Sequence, residues 1–194
     1  SNIVLNTNKI TLYGATGNAT LAGTITQLRS IGLTPDYDNA TLSGDSTDNF
    51  GTLTLKYGSS HNYYEWTTNE PTTQDYDIVL RYRLPDGFSS FDSTPIKLWN
   101  KVSSGANSAT VVKLQLLDTD GTTVVPISST GSYANNWLTL SQSTTWVERT
   151  ITIDNASTVF DSTDAGKHIT LIVKLCAAQA NTVDVAELTL KGNW

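Results

Sequence analysis

Two histidines, His61 and His168, are the only side chains in this sequence whose ordinary pKa lies near neutrality. His61 sits in the polar stretch YGSSHNYYEW, and His168 opens the apolar run HITLIVKL. Neither is surrounded by a nucleophile-elbow or zinc-helix pattern. His168 is expected at a strand edge, and His61 solvated in its loop. Glycoside hydrolysis needs two carboxyl groups facing each other across a cleft. Glu65, Glu70, Glu148 and Glu187 show no spacing that couples any two of them. Asp118 and Asp120 in DTDG resemble the start of a calcium loop but lack its further oxygen ligands and its closing glutamate. A hairpin turn explains them. Asp36, Asp38, Asp45 and Asp48 read as a solvated acidic loop. The expectation is a non-enzymatic protein with no metal and no cofactor.

Aromatic residues are the more promising chemistry. Alternation along NYYEW puts Tyr64 and Trp66 on one face of a strand and Tyr63 on the other. Exposed Tyr and Trp rings can serve as flat platforms for pyranose rings, so Tyr63, Tyr64, Trp66 and Trp137 are candidate contacts to sugar or protein. Trp137, beside two asparagines in YANNWLTLS, is expected in a loop and exposed. Trp66, Trp99 and Trp146 lie in apolar-alternating strands, where a core position is the simpler reading. Trp194 ends the chain after Gly192 and Asn193, which are expected to interrupt the last strand. Its ring either closes the protein's own sandwich or fills a groove on a neighbouring subunit, and the subunit interface is the favoured expectation.

The elements that position these residues are almost all of period two. Strands are expected at 19–28, 51–57, 62–68, 76–84, 95–102, 109–117, 122–127, 145–153, 168–178 and 182–190, rich in Val, Ile, Thr and aromatics. Asp-Gly in LLDTDGTTVV marks a hairpin, and Pro85 closes a strand because it cannot donate to a ladder. Residues 157–167 have room for one helical turn. About ten strands without intervening helices predict an all-β, antiparallel two-sheet jelly-roll-like sandwich. Ile78, Leu80, Tyr82 and Leu84, and likewise Ile169, Leu171, Val173 and Leu175, should face between the sheets. The domain is expected over 46–194. Residues 1–45 are expected to form an N-terminal arm or peripheral strand segment, and the echo of GNATLAGT in DNATLSGD is too short for a repeat.

Composition excludes some functions. Eighteen acidic against twelve basic residues leave a net charge of −6, which is unsuited to displacing counterions from nucleic acid. Charged residues are only 15% of the chain, and Thr and Ser supply much of its polarity. No apolar run reaches the ~20 residues of a membrane span. The single Cys176 reads as a small buried core residue. The Asn-X-Ser/Thr triplets at Asn18, Asn39 and Asn155 are expected by chance in such a composition. With no Met in the chain and no signal-peptide pattern, Ser1 is read as the trimmed native start of a cytoplasmically made protein, with a processed mature form as the alternative.

From Tyr76 onward a strand ends in Leu-Pro, followed by a Gly-aromatic turn, a Trp-bearing strand and a small polar loop. This layout over 76–194 resembles the jelly-roll domains of bacteriophage virion proteins, including capsid-decoration, head-fibre and tail-associated proteins. It is also similar to carbohydrate-binding modules of the galactose-binding sandwich type. Neither resemblance assigns a residue role. With the low charge and compact size, the virion resemblance implies a structural protein on the particle exterior, a capsid decoration or cement protein. It would be a homo-oligomer, with a trimer favoured, and would contact a major capsid protein. The alternative is a carbohydrate-binding module, secreted, or a receptor-binding fibre domain that contacts a cell-surface glycan.

Overall fold

The computed structural model describes residues 4–6, 9–11, 28–33, 40–44, 48–105, 107–154 and 159–194. β1 (Val4–Asn6) and β2 (Lys9–Thr11) form a small antiparallel hairpin. Two larger sheets make a sandwich. Sheet one runs β12 (Gly131–Ala134), β13 (Trp137–Leu140), β9 (Val111–Leu117), β15 (His168–Ala177), β7 (Gln74–Arg83) and β4 (Ala40–Ser43), with β10 (Val124–Val125) also on β9. Sheet two runs β11 (Ile127–Ser128), β14 (Val147–Ile153), β8 (Ser90–Val102), β16 (Thr182–Asn193), β6 (Asn62–Thr67) and β5 (Thr52–Tyr57). β3 (Leu28–Leu33) pairs with the last half of β16. The chain crosses repeatedly between the sheets, as a jelly roll does, and every pairing among the described residues is antiparallel.

Alternation places the core. Ile169, Leu171, Val173 and Leu175 of β15 are at most 3% exposed, as are Ile78 and Leu80 of β7 and Leu84 beyond it. They meet Ile96, Leu98 and Val102 of β8 and Val183, Val185, Leu188 and Leu190 of β16 in one hydrophobic cluster, with Tyr82 at its margin. Cys176 is buried but lies outside that cluster. It is on the opposite parity of β15, across from Asp75 and Val111, and burial pushes its thiol up to about 11.

Several elements differ from the sequence expectation. The run expected at 122–127 divides at Pro126, which cannot donate: β10 belongs to sheet one and β11 to sheet two. Residues 131–140, read as a loop around YANNW, are the hairpin β12–β13. Asn135 and Asn136 take φ of 51° and 67° at its turn, the left-handed pair that matches strand twist in a two-residue hairpin. Trp137 is therefore a strand residue. Gly192 and Asn193 do not interrupt β16; a register shift between Leu190 and Gly192 carries the strand on to Asn193. From the segment read as an N-terminal arm or peripheral strand segment, β4 pairs with β7 at the edge of sheet one and β3 pairs with β16. The strand expected at 19–28 falls outside the described residues except at Leu28. The expected helical turn is a 3-10 turn, Ser162–Asp164, capped by Asp161.

The DTDG hairpin forms as expected. The Asp120 carboxylate accepts from the backbone amides of Thr122 and Thr123, both at 2.8 Å. The Thr123 hydroxyl, which donates to its other oxygen, and then those two amides hold its carboxyl down at about 2.

Candidate functional site

The solvent face of sheet two carries a contiguous aromatic grouping. On β8, Ile96, Leu98 and Val102 point inward, so Lys97, Trp99 and Lys101 point outward. On β6 the same parity sends Tyr63 and Glu65 outward. Trp146, just before β14, shares the parity of the outward Glu148 and Thr150. Register then sets these side chains beside one another: Glu148 lies opposite Trp99, Lys56 opposite Tyr63, and Asp184 between Glu65 and Lys101.

His61, at the mouth of β6, completes the group. Its ring centroid is 4.8 Å from those of both Trp99 and Trp146. Tyr63 meets Trp146 edge-on at 5.2 Å. All four rings are half-buried, so they shelter one another while keeping part of their surface in water. Aromatic pairs in tilted and edge-on geometry at this spacing are favourable beyond the area they bury.

Charge pairs surround the rings. Lys97 Nζ lies 2.6 Å from Glu148 Oε1, and Lys56 Nζ lies 3.4 Å from Glu65 Oε1. His61 Nδ1 is 2.6 Å from Glu187 Oε2. Glu187 reaches it because β16 takes three steps between Val185 and Leu188 while β8 takes two, a bulge that re-aims side chains on the outer face. Lys101 Nζ sits 5.2 Å from the Tyr63 ring centre and 5.0 Å from that of Trp146, within cation–π range. The same ammonium is 3.1 Å from Asp184 Oδ2. Asp184 is 1% exposed. Its other oxygen has no hydrogen-bond partner among the described residues, and burial pushes its carboxyl up to about 6 against the pull of Lys101.

The expected contact residues separate. Tyr63 is on this face. Tyr64 and Trp66 are not available to a ligand: they are 6% and 1% exposed, because their parity on β6 points between the sheets. The Trp66 indole N–H donates to the Gln74 carbonyl at 3.1 Å, which satisfies it within the core. Trp137 is half-buried on the outer face of sheet one, 5.5 Å from Lys174 Nζ. Trp194 packs against its own chain's core cluster. Its ring folds back over Gly192, where an added Cβ would lie 2.7 Å from it, and it stays half-buried, with part of its surface open. His61, expected to be solvated, is clamped between two indoles. Trp99 and Trp146, expected in the core, face outward. Their signal was present in the sequence: Trp99 shares the parity of Lys97 and Lys101, and Trp146 that of Glu148.

His168 is exposed at the start of β15, as expected of a strand edge, and lines a shallow cleft with Ala40, Thr41, Arg81 and Arg83. No cluster of three or more His, Cys, Asp or Glu side chains suited to a metal ion occurs among the described residues. Asp36, Asp38, Asp45, Asn18, Asn39 and Asn155 lie outside them. No helix among the described residues is long and apolar enough to cross a membrane.

No family model matches this chain, and no curated protein matches it in sequence. Among solved structures, a carbohydrate-binding module specific for non-crystalline cellulose (CBM28) is similar at a TM-score of 0.40 and 12% identity, covering 80% of this chain and 85% of that one. The family 11 carbohydrate-binding module of a Clostridium thermocellum cellulosomal cellulase has a TM-score of 0.37 and 15% identity, over 88% and 89% of the two chains. A family two carbohydrate esterase from Cellvibrio japonicus has a TM-score of 0.39 and 9% identity; 86% of this chain matches 34% of the esterase, about a third of its length. TM-scores and identities this low leave ligand and activity to be argued from this chain's own residues.

Proposed function

We propose that this protein is a non-catalytic glycan-binding β-sandwich whose contact face is the outer surface of sheet two. The observation that carries the reading is the contiguous group of His61, Tyr63, Trp99 and Trp146, half-exposed over the outer face of sheet two. Ring faces carry negative quadrupole density, which complements the weakly positive C–H faces of a pyranose. The surrounding carboxylates and ammonium groups are paired with each other. They supply fixed hydrogen-bond donors and acceptors for sugar hydroxyls without a large net potential. Half-exposed apolar surface rimmed by polar groups is the general mark of an interaction site.

A decoration role on a virion would use such a face against a protein neighbour instead, with a trimer as the oligomer expected from the sequence. That reading draws on composition and layout, whereas the ring cluster favours a ligand with stackable faces. Affinity gel electrophoresis on a panel of soluble polysaccharides, backed by a glycan array, tests the proposal. Retardation on at least one polysaccharide that disappears in Trp99→Ala and Trp146→Ala supports it. No binding across the panel, together with a stable trimer by light scattering, would move the assignment to the assembly role.

A further inference from the structure

We propose that Asp184 is a positioning residue for this aromatic face: its carboxylate holds the Lys101 ammonium in the angle between Tyr63 and Trp146, and protonation of that carboxylate releases the lysine and loosens the two rings. The inference rests on the glycan-binding reading for its consequence, but the clamp itself is a property of the free protein.

The geometry is that of a three-way contact. Lys101 Nζ lies 5.2 and 5.0 Å from the two ring centres and 3.1 Å from Asp184 Oδ2. A lysine stem is long and flexible, and holding it in one place requires a fixed counter-charge. Asp184 provides one, because it is 1% exposed in the middle of the sheet between β6 and β8. The other charged groups around Asp184 do not replace it. Glu65 of β6 lies directly opposite and repels it, and Lys56 of β5 is engaged by Glu65. On β16 itself Glu187 is engaged by His61, and beside β8 Glu148 is engaged by Lys97. Loss of the Asp184 charge therefore leaves Lys101 without a nearby ionic partner, and water becomes its better solvent. Tyr63 and Trp146 then keep only their edge-on contact with each other and the Trp146 contact with His61.

Fluorine NMR of ligand-free protein labelled with fluorotryptophan tests the clamp, with the Trp146 resonance assigned through Trp146→Phe. The wild type should show a pH transition at Trp146 with a midpoint at about 6. Asp184→Asn and Lys101→Met, the second keeping the stem's packing, should both remove it. A transition that arises from His61 instead would survive in both variants and would overturn the proposal, as would the absence of any transition at Trp146. On the polysaccharide found by electrophoresis, wild-type affinity should fall about 3- to 10-fold on acidification through this range, the loss of roughly one ring contact. Asp184→Asn should be weak and flat with pH. If no polysaccharide binds but the Trp146 transition behaves as stated, the functional reading fails and the clamp stands. If a polysaccharide binds with no Asp184-dependent transition, the clamp fails and the functional reading stands.

Discussion

The outer faces of the two sheets are built by the same strand alternation and end up chemically different. On sheet one, Lys174 at the centre of β15 is only 9% exposed. Its ammonium lies 3.2 Å from Asp75 and 3.4 Å from Asp77, with the lone Trp137 ring 5.5 Å away. On sheet two, rings from β6, β8 and the approach to β14 touch one another, with the charges disposed around them. An isolated aromatic on a sheet face becomes the apolar lid of an ion pair. Rings from two strands of one sheet and from the loops beside them, close enough to touch, become a patch. The difference lies in strand order and register, since both faces contain tryptophan, lysine and carboxylates.

The largest effect should come from behind both faces. Leu171→Ala removes a 3%-exposed side chain from the common core and should cost about 2–5 kcal/mol in chemical denaturation, as buried leucines that leave cavities do. A cost near zero would mean that β15 does not present this residue inward, and the assignment of both outer faces would fall with it.

Next is the contrast between the faces themselves. The double variant Trp99→Ala/Trp146→Ala should lose about 30-fold or more in glycan affinity, the scale of aromatic hot-spot residues. Equal losses from Trp137→Ala, read by the same titration calorimetry, would erase the distinction.

Asp184 sharpens the comparison through stability. Its folded carboxyl is raised to about 6, above the ~3.9 of an unfolded aspartate. The folded state therefore binds the extra proton, and this group's contribution to stability is fully present below about 3.9 and is lost as pH rises through about 6. Asp184→Asn should thus gain stability relative to wild type as pH rises from about 4 to 7, by about 3 kcal/mol. Melting curves across that range check it, and parallel curves for the two proteins would refute it. Lys174→Met on sheet one should instead destabilise, by on the order of 2 kcal/mol, because Asp75 and Asp77 lose the cation between them. Glycan affinity should be unaffected.

The smallest effect is expected from Trp137→Ala, within about 2-fold of wild type in binding. A larger loss would make sheet one a second contact face.

Much of the fold was legible in the residues. Period-two runs such as HITLIVKL and YDIVLRYR announced strands, and their inward sets, Leu171 with Val173 and Ile78 with Leu80, followed from parity alone. The DTDG hairpin was equally local, because Asp120 makes its turn with neighbours two and three residues away. The β12–β13 hairpin was written in Asn135-Asn136, the left-handed pair that such a turn uses. Reading those asparagines as loop composition hid it. Parity within NYYEW separated Tyr63 from Tyr64 and Trp66 but did not say which side was solvent.

Parity along one strand decides only which residues share a face. The sandwich decides which face is buried, and strand order decides what lies beside it. His61 and Glu187 are 126 residues apart in sequence, and they meet because a bulge in β16 turns Glu187 toward the mouth of β6. Trp99 on β8 and Tyr63 on β6 share a patch across the intervening β16 because His61 and Trp146 bridge them. Trp194 packs against the core cluster at the end of a strand that slips register at Gly192. Backbone alternation is a local consequence of L-residue geometry and was open to reading in the sequence. Lateral pairing follows from burying all the apolar faces at once, which no short stretch of this chain encodes by itself.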